Sequence, residues 1–67
     1  MKKWLSPVPK VCDICQKPIK TVFIDGKTVH GPWGNMCEVC HSIHGVGLGL
    51  GKGQKYVKDS EGSFIQQ

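Results

Sequence analysis

Four cysteines are the residues of this chain whose type and spacing are best suited to chemistry. They form two C-x-x-C pairs separated by 21 residues: Cys12, Cys15, Cys37 and Cys40. A two-residue gap lets both sulfurs of a pair bind one ion at about 2.3 Å, and two such pairs complete a tetrahedron. Four thiolates leave no open position for water, so an ion held this way stabilises a fold and does no catalysis. The spacing predicts a structural Zn²⁺ site, and we expect no enzymatic activity.

Other interpretations of the cysteines are a redox pair, disulfides or an iron site. A thioredoxin-like C-x-x-C needs a βαβ frame, which 67 residues are too few to supply. Disulfides and iron stay open as alternatives to zinc. His41 and His44 follow the last cysteine and could replace one cysteine as a ligand, although histidines at such positions more often cap a helix or hydrogen-bond a sulfur.

The length of the chain also favours a metal. A domain of 67 residues gains little stability from its hydrophobic core alone, so a staple is expected. We find no apolar run of the roughly 20 residues that a membrane span needs, and no signal peptide before residue 10. We therefore expect a soluble protein in a reducing cytoplasm, where such cysteines bind metal rather than form disulfides.

The elements that position the cysteines follow from turn and helix patterns. Asp25-Gly26 suits a type I′ turn and predicts a β-hairpin of residues 21–24 and 27–30, with a turn at 31–35 leading back to the second pair. Residues 37–44 predict a short helix that ends at Gly45. The expected fold class is a small metal-stapled α+β fold, zinc ribbon or treble-clef-like, built from a β-hairpin and a short helix.

The rest of the chain divides into an extended arm at residues 1–10, a zinc-binding domain at 11–56 and a C-terminal tail at 57–67. The domain includes a glycine-rich ribbon at 45–53, where glycine alternates with other residues. If the ribbon is extended, its glycines share one face and its aliphatic side chains the other. The arm either docks on a partner or folds back over the core, and Trp33 either plugs the core beside the metal or contacts a partner. The candidate partner contacts are Trp4, Leu5, Trp33, Val46, Leu48 and Leu50.

The charge of the chain is mildly basic. The formal net charge is +4, and four thiolates with one Zn²⁺ would reduce it to about +2. All nine basic residues are lysines, which attract polyanions weakly and without sequence preference. Six of them fall in the first half: Lys2, Lys3, Lys10, Lys17, Lys20 and Lys27. With Trp4 and Phe23 as stacking residues, they suggest a nucleic-acid-binding zinc ribbon as the alternative function.

Two kinds of enzyme site were sought in the glycine and histidine patterns. Walker A requires glycine where Val46 stands, and the dinucleotide motif G-x-G-x-x-G fails in every frame of the glycine run. Asn35 and His41 flank the second pair as in treble-clef nucleases with a His-Asn-His core. However, His30 follows valine and only four residues separate it from that asparagine. We therefore expect no nucleotide binding, and a degenerate nuclease is the least favoured of the three candidate functions.

Three stretches carry a resemblance to a known group. Residues 31–41 read Gly-Pro-Trp-Gly-Asn-Met-Cys-Glu-Val-Cys-His, residues 45–49 Gly-Val-Gly-Leu-Gly and residues 53–56 Gly-Gln-Lys-Tyr. Over residues 11–56 the chain resembles small zinc-ribbon-like proteins of tailed bacteriophages and prophages. The resemblance brings no catalytic residues with it.

That resemblance implies a phage setting, either in the virion or in the host cytoplasm. We expect a protein-interaction module, such as a minor capsid or decoration subunit. Its partners would be other virion subunits or a host protein, with weak non-specific nucleic-acid contact possible. No membrane partner and no small-molecule substrate are expected.

Overall fold

The computed structural model describes residues 2–67. Their elements are β1 (Val22–Lys27), β2 (Trp33–Met36), α1 (Glu38–His44), β3 (Gly53–Lys58) and β4 (Phe64–Gln66). The four strands form one antiparallel sheet in the order β2-β1-β3-β4. The predicted small α+β fold with a hairpin and one short helix is thereby confirmed. Within residues 2–67, no helix is long and apolar enough to cross a membrane.

The β-hairpin turns at a different place from the one predicted. Asp25 and Gly26 lie inside β1 and pair with β2 on one side and β3 on the other. The turn instead follows β1, where the N–H of Thr28 donates to the carbonyl of Pro32 (2.9 Å) and Gly31 has a φ of 109°. The prediction was wrong because two flanking strands outweigh a local turn preference. Close packing of the two strands requires glycine at position 53, because a Cβ there would lie 3.0 Å from the Cα of the facing Gly26.

The two faces of the sheet carry different residues, because side chains alternate along a strand and cross-strand partners share a face. Ile24 pairs with Met36 and with Lys55 on the face that α1 covers. The Nζ of Lys55 lies 3.1 Å from a carboxylate oxygen of Glu38 on the helix. Phe23 and its neighbours face the other way, so β1 contributes to a core on each side.

An aromatic cluster fills the face opposite α1. Phe23 and Tyr56 stack with ring centroids 5.2 Å apart, and Phe64 lies 5.0 Å from Phe23. Trp4 packs edge-on against both Phe23 and Tyr56 at 5.1 Å. The backbone N–H of Trp4 donates to the carbonyl of Phe64 (2.8 Å), and Lys3 pairs with Ile65 on the edge of β4. Of the two interpretations of the arm, the structure has the one in which the arm folds back over the core.

Both terminal segments thus take part in the sheet. Residues 57–67, expected as a tail, contain the end of β3 and the whole of β4, and Phe64 within them is buried. The amide of Gln66 donates to the carbonyl of Lys2 (2.7 Å), which ties the two termini together. The aromatic cluster explains this arrangement, since its rings come from the arm, β1, β3 and β4.

The glycine-rich segment between α1 and β3 forms a loop rather than an extended ribbon. Gly47, Gly49 and Gly51 have φ values of 108°, 119° and 76°, a backbone region that favours glycine. Gly49 and Gly53 exchange backbone hydrogen bonds of 2.8 and 3.0 Å, which close the loop. Because alternate residues turn the chain, the aliphatic residues between them do not form the regular face that an extended strand would give.

Candidate metal centre

The first cysteine pair lies on a tight turn before β1. The N–H of Cys12 donates to the carbonyl of Lys17 (2.9 Å), and the N–H of Gln16 donates back to the carbonyl of Cys12 (3.0 Å). Val11 and Pro18 pair across the base of this turn. Gln16 adopts a φ of 63°, which an L residue other than glycine takes at a cost. We call residues 11–18 the first knuckle.

The second pair lies at the start of α1. Cys37 is the N-cap, and its sulfur accepts from the N–H of Cys40 at 3.5 Å. Gly45 follows the helix and donates its N–H to the carbonyl of His41 (2.8 Å). The helix begins and ends as predicted, within one residue. The first turn of α1 places Cys40 over the sheet, and Cys37 directly follows the last residue of β2.

The four sulfurs come together. All four lie within 4.8 Å of one another, and those of Cys15 and Cys37, from different pairs, are 3.8 Å apart. A tetrahedral shell with bonds of about 2.3 Å places its sulfurs about 3.8 Å apart, so the cluster fits one ion. The four cysteines are free thiols rather than disulfides. The cysteines predicted from the spacing are therefore arranged to bind a metal ion.

Asp13 fixes the first knuckle to the sheet. Its N–H donates to the carbonyl of Asn35 (2.9 Å), and its Oδ2 accepts from the N–H of Asn35 (2.8 Å). Asn35 is two residues before Cys37, so this clamp sets the separation of the two pairs. Asp13 was not among the predicted site residues. A short acidic side chain between two metal-ligand cysteines was the available indication, since such carboxylates accept backbone N–H bonds in turns.

Met36 fills the space beside the sulfurs. It is fully buried and packs in one cluster with the buried Cys12 and Cys40, with Cys37 at the edge. Trp33, one of whose two predicted roles was this plug, is 49% exposed on β2. The plug interpretation was therefore wrong. Trp33 pairs with Lys27 in the sheet and so faces away from α1, whereas Met36 pairs with Ile24 on the covered face.

Electrostatics differ sharply between the two buried thiols. Burial by itself raises the pKa of Cys12, but the N–H groups of Cys15, Cys37 and Ile14 outweigh it and lower that pKa to about 6. Burial, together with the neighbouring sulfurs, raises the pKa of Cys40 to about 12. The cluster thus favours ionisation of the Cys12 thiol and opposes ionisation of the Cys40 thiol. A bound cation would supply the charge that lets all four ionise.

The histidines lie outside the sulfur cluster. His41 places its Nε2 3.0 Å from the carbonyl oxygen of Gly47 and so anchors the glycine loop. The carbonyl of His44 accepts from the N–H of Val29 (2.7 Å), which links the end of α1 to the β1–β2 turn. His30 is exposed in that turn. The group of side chains suited to one ion consists of the four cysteines alone within residues 2–67.

The predicted partner contacts divide between surface and core. Leu50 is 98% exposed at the tip of the glycine loop, and Leu5 is 89% exposed on the arm. Leu48, Trp33 and Val46 are also exposed. Trp4 instead packs on the aromatic cluster, and its Nε1–H donates to the carbonyl of Pro7 (3.2 Å).

The six lysines of the first half are exposed but lie in three separate places. Lys2 and Lys3 lie beside β4, whereas Lys27 lies at the far end of β1, where its backbone N–H donates to the carbonyl of Lys52 (2.8 Å). Lys10, Lys17 and Lys20 lie on and around the first knuckle. Phe23 is completely buried, so the expectation that it could stack on a base was wrong.

No protein-family model, curated protein or solved structure matches the chain. The metal-binding arrangement consequently depends on two observations made on the chain itself. One is the spacing of the cysteines in the sequence, and the other is the convergence of their sulfurs.

Proposed function

We propose that this chain is a protein-interaction module whose fold is held by one structural Zn²⁺. The observation that carries the proposal is the convergence of four sulfurs, from two separate segments, to within 4.8 Å. Cys12 and Cys15 would bind from the first knuckle, and Cys37 and Cys40 from the start of α1. The order of knuckle, hairpin and helix supports the treble-clef alternative over the zinc ribbon.

Zinc suits this site because a closed shell of four thiolates is the usual structural zinc environment. Zn²⁺ has no redox chemistry and accepts a tetrahedral geometry without preference of its own. Iron also accepts four cysteines, so the metal has to be identified by measurement. The role proposed for the ion is to neutralise the thiolates and to lock the knuckle against the helix.

The test is the metal content of the reduced protein purified without added metal. We expect one zinc per chain by elemental analysis and no visible absorption. An iron–thiolate site would colour the protein, and a metal-free chain with four reactive thiols would contradict the proposal. Cys15→Ser provides the matched variant, because it removes one exposed ligand and disturbs little packing. It should lower zinc affinity by a large factor.

The interaction role is supported by the side chains that the fold displays. Leu5 on the arm and Leu50 on the glycine loop are almost fully exposed. Neither side chain belongs to the cluster around the cysteines or to the aromatic cluster. Leu48 and Leu50 are exposed together along one cleft, and neighbouring exposed apolar side chains are typical of a contact surface. The lysines, by contrast, form no single stripe of the kind that follows a nucleic-acid backbone.

The phage setting belongs to the proposal through the sequence resemblance. Mass spectrometry of purified virions tests the virion alternative. Detection at a fixed copy number per particle would support a capsid or decoration role. Absence from particles, with the protein present in infected cells, would favour a host-protein partner.

A further inference from the structure

Two shallow clefts border β3, one beside the aromatic cluster at the arm and the other at the glycine loop. The larger, of about 420 Å³, is lined by Lys2, Lys3, Trp4, Leu5 and Tyr56. The smaller, of about 160 Å³, is bounded by Leu48 and Leu50 on the glycine loop and by the last residues of the chain. Each cleft therefore has one wall made of exposed aliphatic side chain, contributed by a segment outside the four strands.

The sheet connects the two clefts. Tyr56 lines the larger cleft and pairs across β3 and β4 with Gln66, which lines the smaller one. Gln54 also lines the smaller cleft and lies two residues from Tyr56 on the same strand, hence on the same face. The two clefts share no lining residue, but this strand pair makes them neighbours, with the glutamine side chains between the aliphatic residues of the arm and those of the glycine loop. We call the two clefts together the arm–loop surface.

The charge of the arm–loop surface has one sign. The charged side chains that line it within residues 2–67 are Lys2, Lys3 and Lys55. Lys55 faces α1 and is paired there with Glu38, so the unpaired charges of the surface are those of Lys2 and Lys3, which have no carboxylate within salt-bridge distance in the described chain. A ligand complementary to this surface carries aliphatic groups and negative charge together.

We propose that the arm–loop surface binds an extended segment of a partner protein that carries both aliphatic and acidic side chains. Glutamine side chains both donate and accept, so they can pair with the N–H and C=O groups of a bound backbone. An extended segment presents alternate side chains to one face, which suits two apolar walls separated by a polar strip. This inference rests on the proposed interaction function and names the surface and the partner chemistry for it.

A fluorescein-labelled peptide in which leucine and glutamate alternate tests the proposal on the intact, metal-loaded chain. We expect binding by fluorescence anisotropy, about tenfold weaker after Leu50→Ser, since burying one leucine contributes about that factor. Lys3→Glu should weaken binding further at low salt and less at high salt. Val29→Ser is the matched control, because Val29 is 60% exposed in the β1–β2 turn and lines neither cleft.

Peptide controls separate the two parts of the recognition. Peptides that alternate serine with glutamate, or leucine with lysine, should both bind much more weakly than the leucine–glutamate peptide. Equal binding of the leucine–lysine peptide would overturn the charge argument. Failure of the leucine–glutamate peptide to bind, or an unchanged affinity after Leu50→Ser, would overturn the proposal.

The same samples keep this proposal distinct from the proposed function. Zinc content and the dispersion of the amide NMR spectrum are measured on each variant before the titration. A metal-free or iron-loaded protein would contradict the zinc proposal. A folded, zinc-loaded protein that does not bind the peptide overturns the arm–loop proposal alone. On binding, shifts should concentrate at the Trp4 indole and at the amides of Gln54 and Gln66.

Discussion

The cysteine cluster and the aromatic cluster stabilise this chain in different ways. Cys12, Met36 and Cys40 form the first, on the side of the sheet that α1 covers. Phe23, Tyr56 and Phe64, with Trp4 and Ile19 against them, form the second on the opposite face. The first joins the knuckle, β2 and α1, and the second joins the arm, β1, β3 and β4. Neither cluster alone reaches every element.

The difference between the clusters lies in what each needs. The aromatic rings are apolar and pack at favourable centroid distances without help. The sulfurs repel one another when ionised, and burial opposes the ionisation of Cys40. Under the proposed function, one half of the molecule depends on a bound cation, whereas the other depends on burial of apolar surface. Adjacent residues of β1, Phe23 and Ile24, connect the two halves.

Loss of one buried ligand should have the largest effect. Cys40→Ser replaces a thiolate by a weaker ligand inside the cysteine cluster, and zinc-dependent small domains unfold without their metal. We expect this variant to lack bound zinc and to be unfolded at room temperature by circular dichroism. Val39→Ala, one residue away and exposed, should keep both zinc and helix. A folded Cys40→Ser chain would show that the metal is dispensable.

Truncation in the aromatic cluster should have the next largest effect. Phe23→Ala removes the ring that contacts Trp4, Tyr56 and Phe64, and such truncations cost about 3 kcal/mol or more. We expect urea unfolding of the zinc-loaded variant to reveal that loss while one zinc per chain is retained. Leu5→Ala, on an exposed side chain, should change the free energy of unfolding by less than about 0.5 kcal/mol. Loss of zinc from Phe23→Ala would mean that the two clusters are not separable.

A smaller and stabilising effect is expected in the first knuckle. Gln16 has a φ of 63°, and glycine takes that conformation without the steric cost of a Cβ. Gln16→Gly should raise the free energy of unfolding by about 1 kcal/mol, measured by urea titration with zinc bound. Gln54→Gly in β3 should lower it, by about 0.5 to 1 kcal/mol, because glycine weakens a strand. Equal effects at the two sites would contradict the strain assigned to the knuckle.

The smallest effect concerns Asp25 in β1. Burial raises the pKa of its carboxyl above the ordinary value. The folded chain therefore binds this proton more tightly than the unfolded chain, and the contribution of Asp25 to stability falls as pH rises through the folded pKa. Asp25→Asn should be more stable than the parent at neutral pH, and the difference should shrink on acidification. Zinc loss at low pH affects both proteins, so the difference between them isolates Asp25. A difference that grows on acidification would refute this.

The sequence predicted the metal half of the molecule far better than the aromatic half. The spacing of the cysteines indicates a shared ion almost independently of the rest of the chain. The start of α1 at Cys37 and its end at Gly45 could likewise be predicted from local residue types. The turn at Asp25-Gly26 was wrong because pairing with β3, nearly 30 residues later in the chain, is not visible in a local pattern. For the same reason Phe64 was expected in a tail.

The contact partners of several site residues could not be predicted, because those contacts form only in the folded chain. Asp13 clamps Asn35 through contacts between segments 22 residues apart. Met36, rather than the expected Trp33, fills the space beside the sulfurs because the register of β2 against β1 decides which of them faces α1. A glycine run such as that at residues 45–53 is compatible with a strand or a loop, and the closing bonds between Gly49 and Gly53 select the loop.

The amide NMR spectrum of the reduced protein, before and after metal removal with a strong chelator, tests the central claim most directly. We predict that a well-dispersed spectrum collapses to that of an unfolded chain and is restored by one equivalent of Zn²⁺. The aromatic cluster should not preserve the fold alone, because β1 carries Phe23 in that cluster and Ile24 beside Met36 of the cysteine cluster. A core as small as the aromatic cluster rarely stabilises a fold without a second contribution. A metal-free, reduced chain that keeps the dispersed spectrum would contradict the claim that a metal ion holds this fold together.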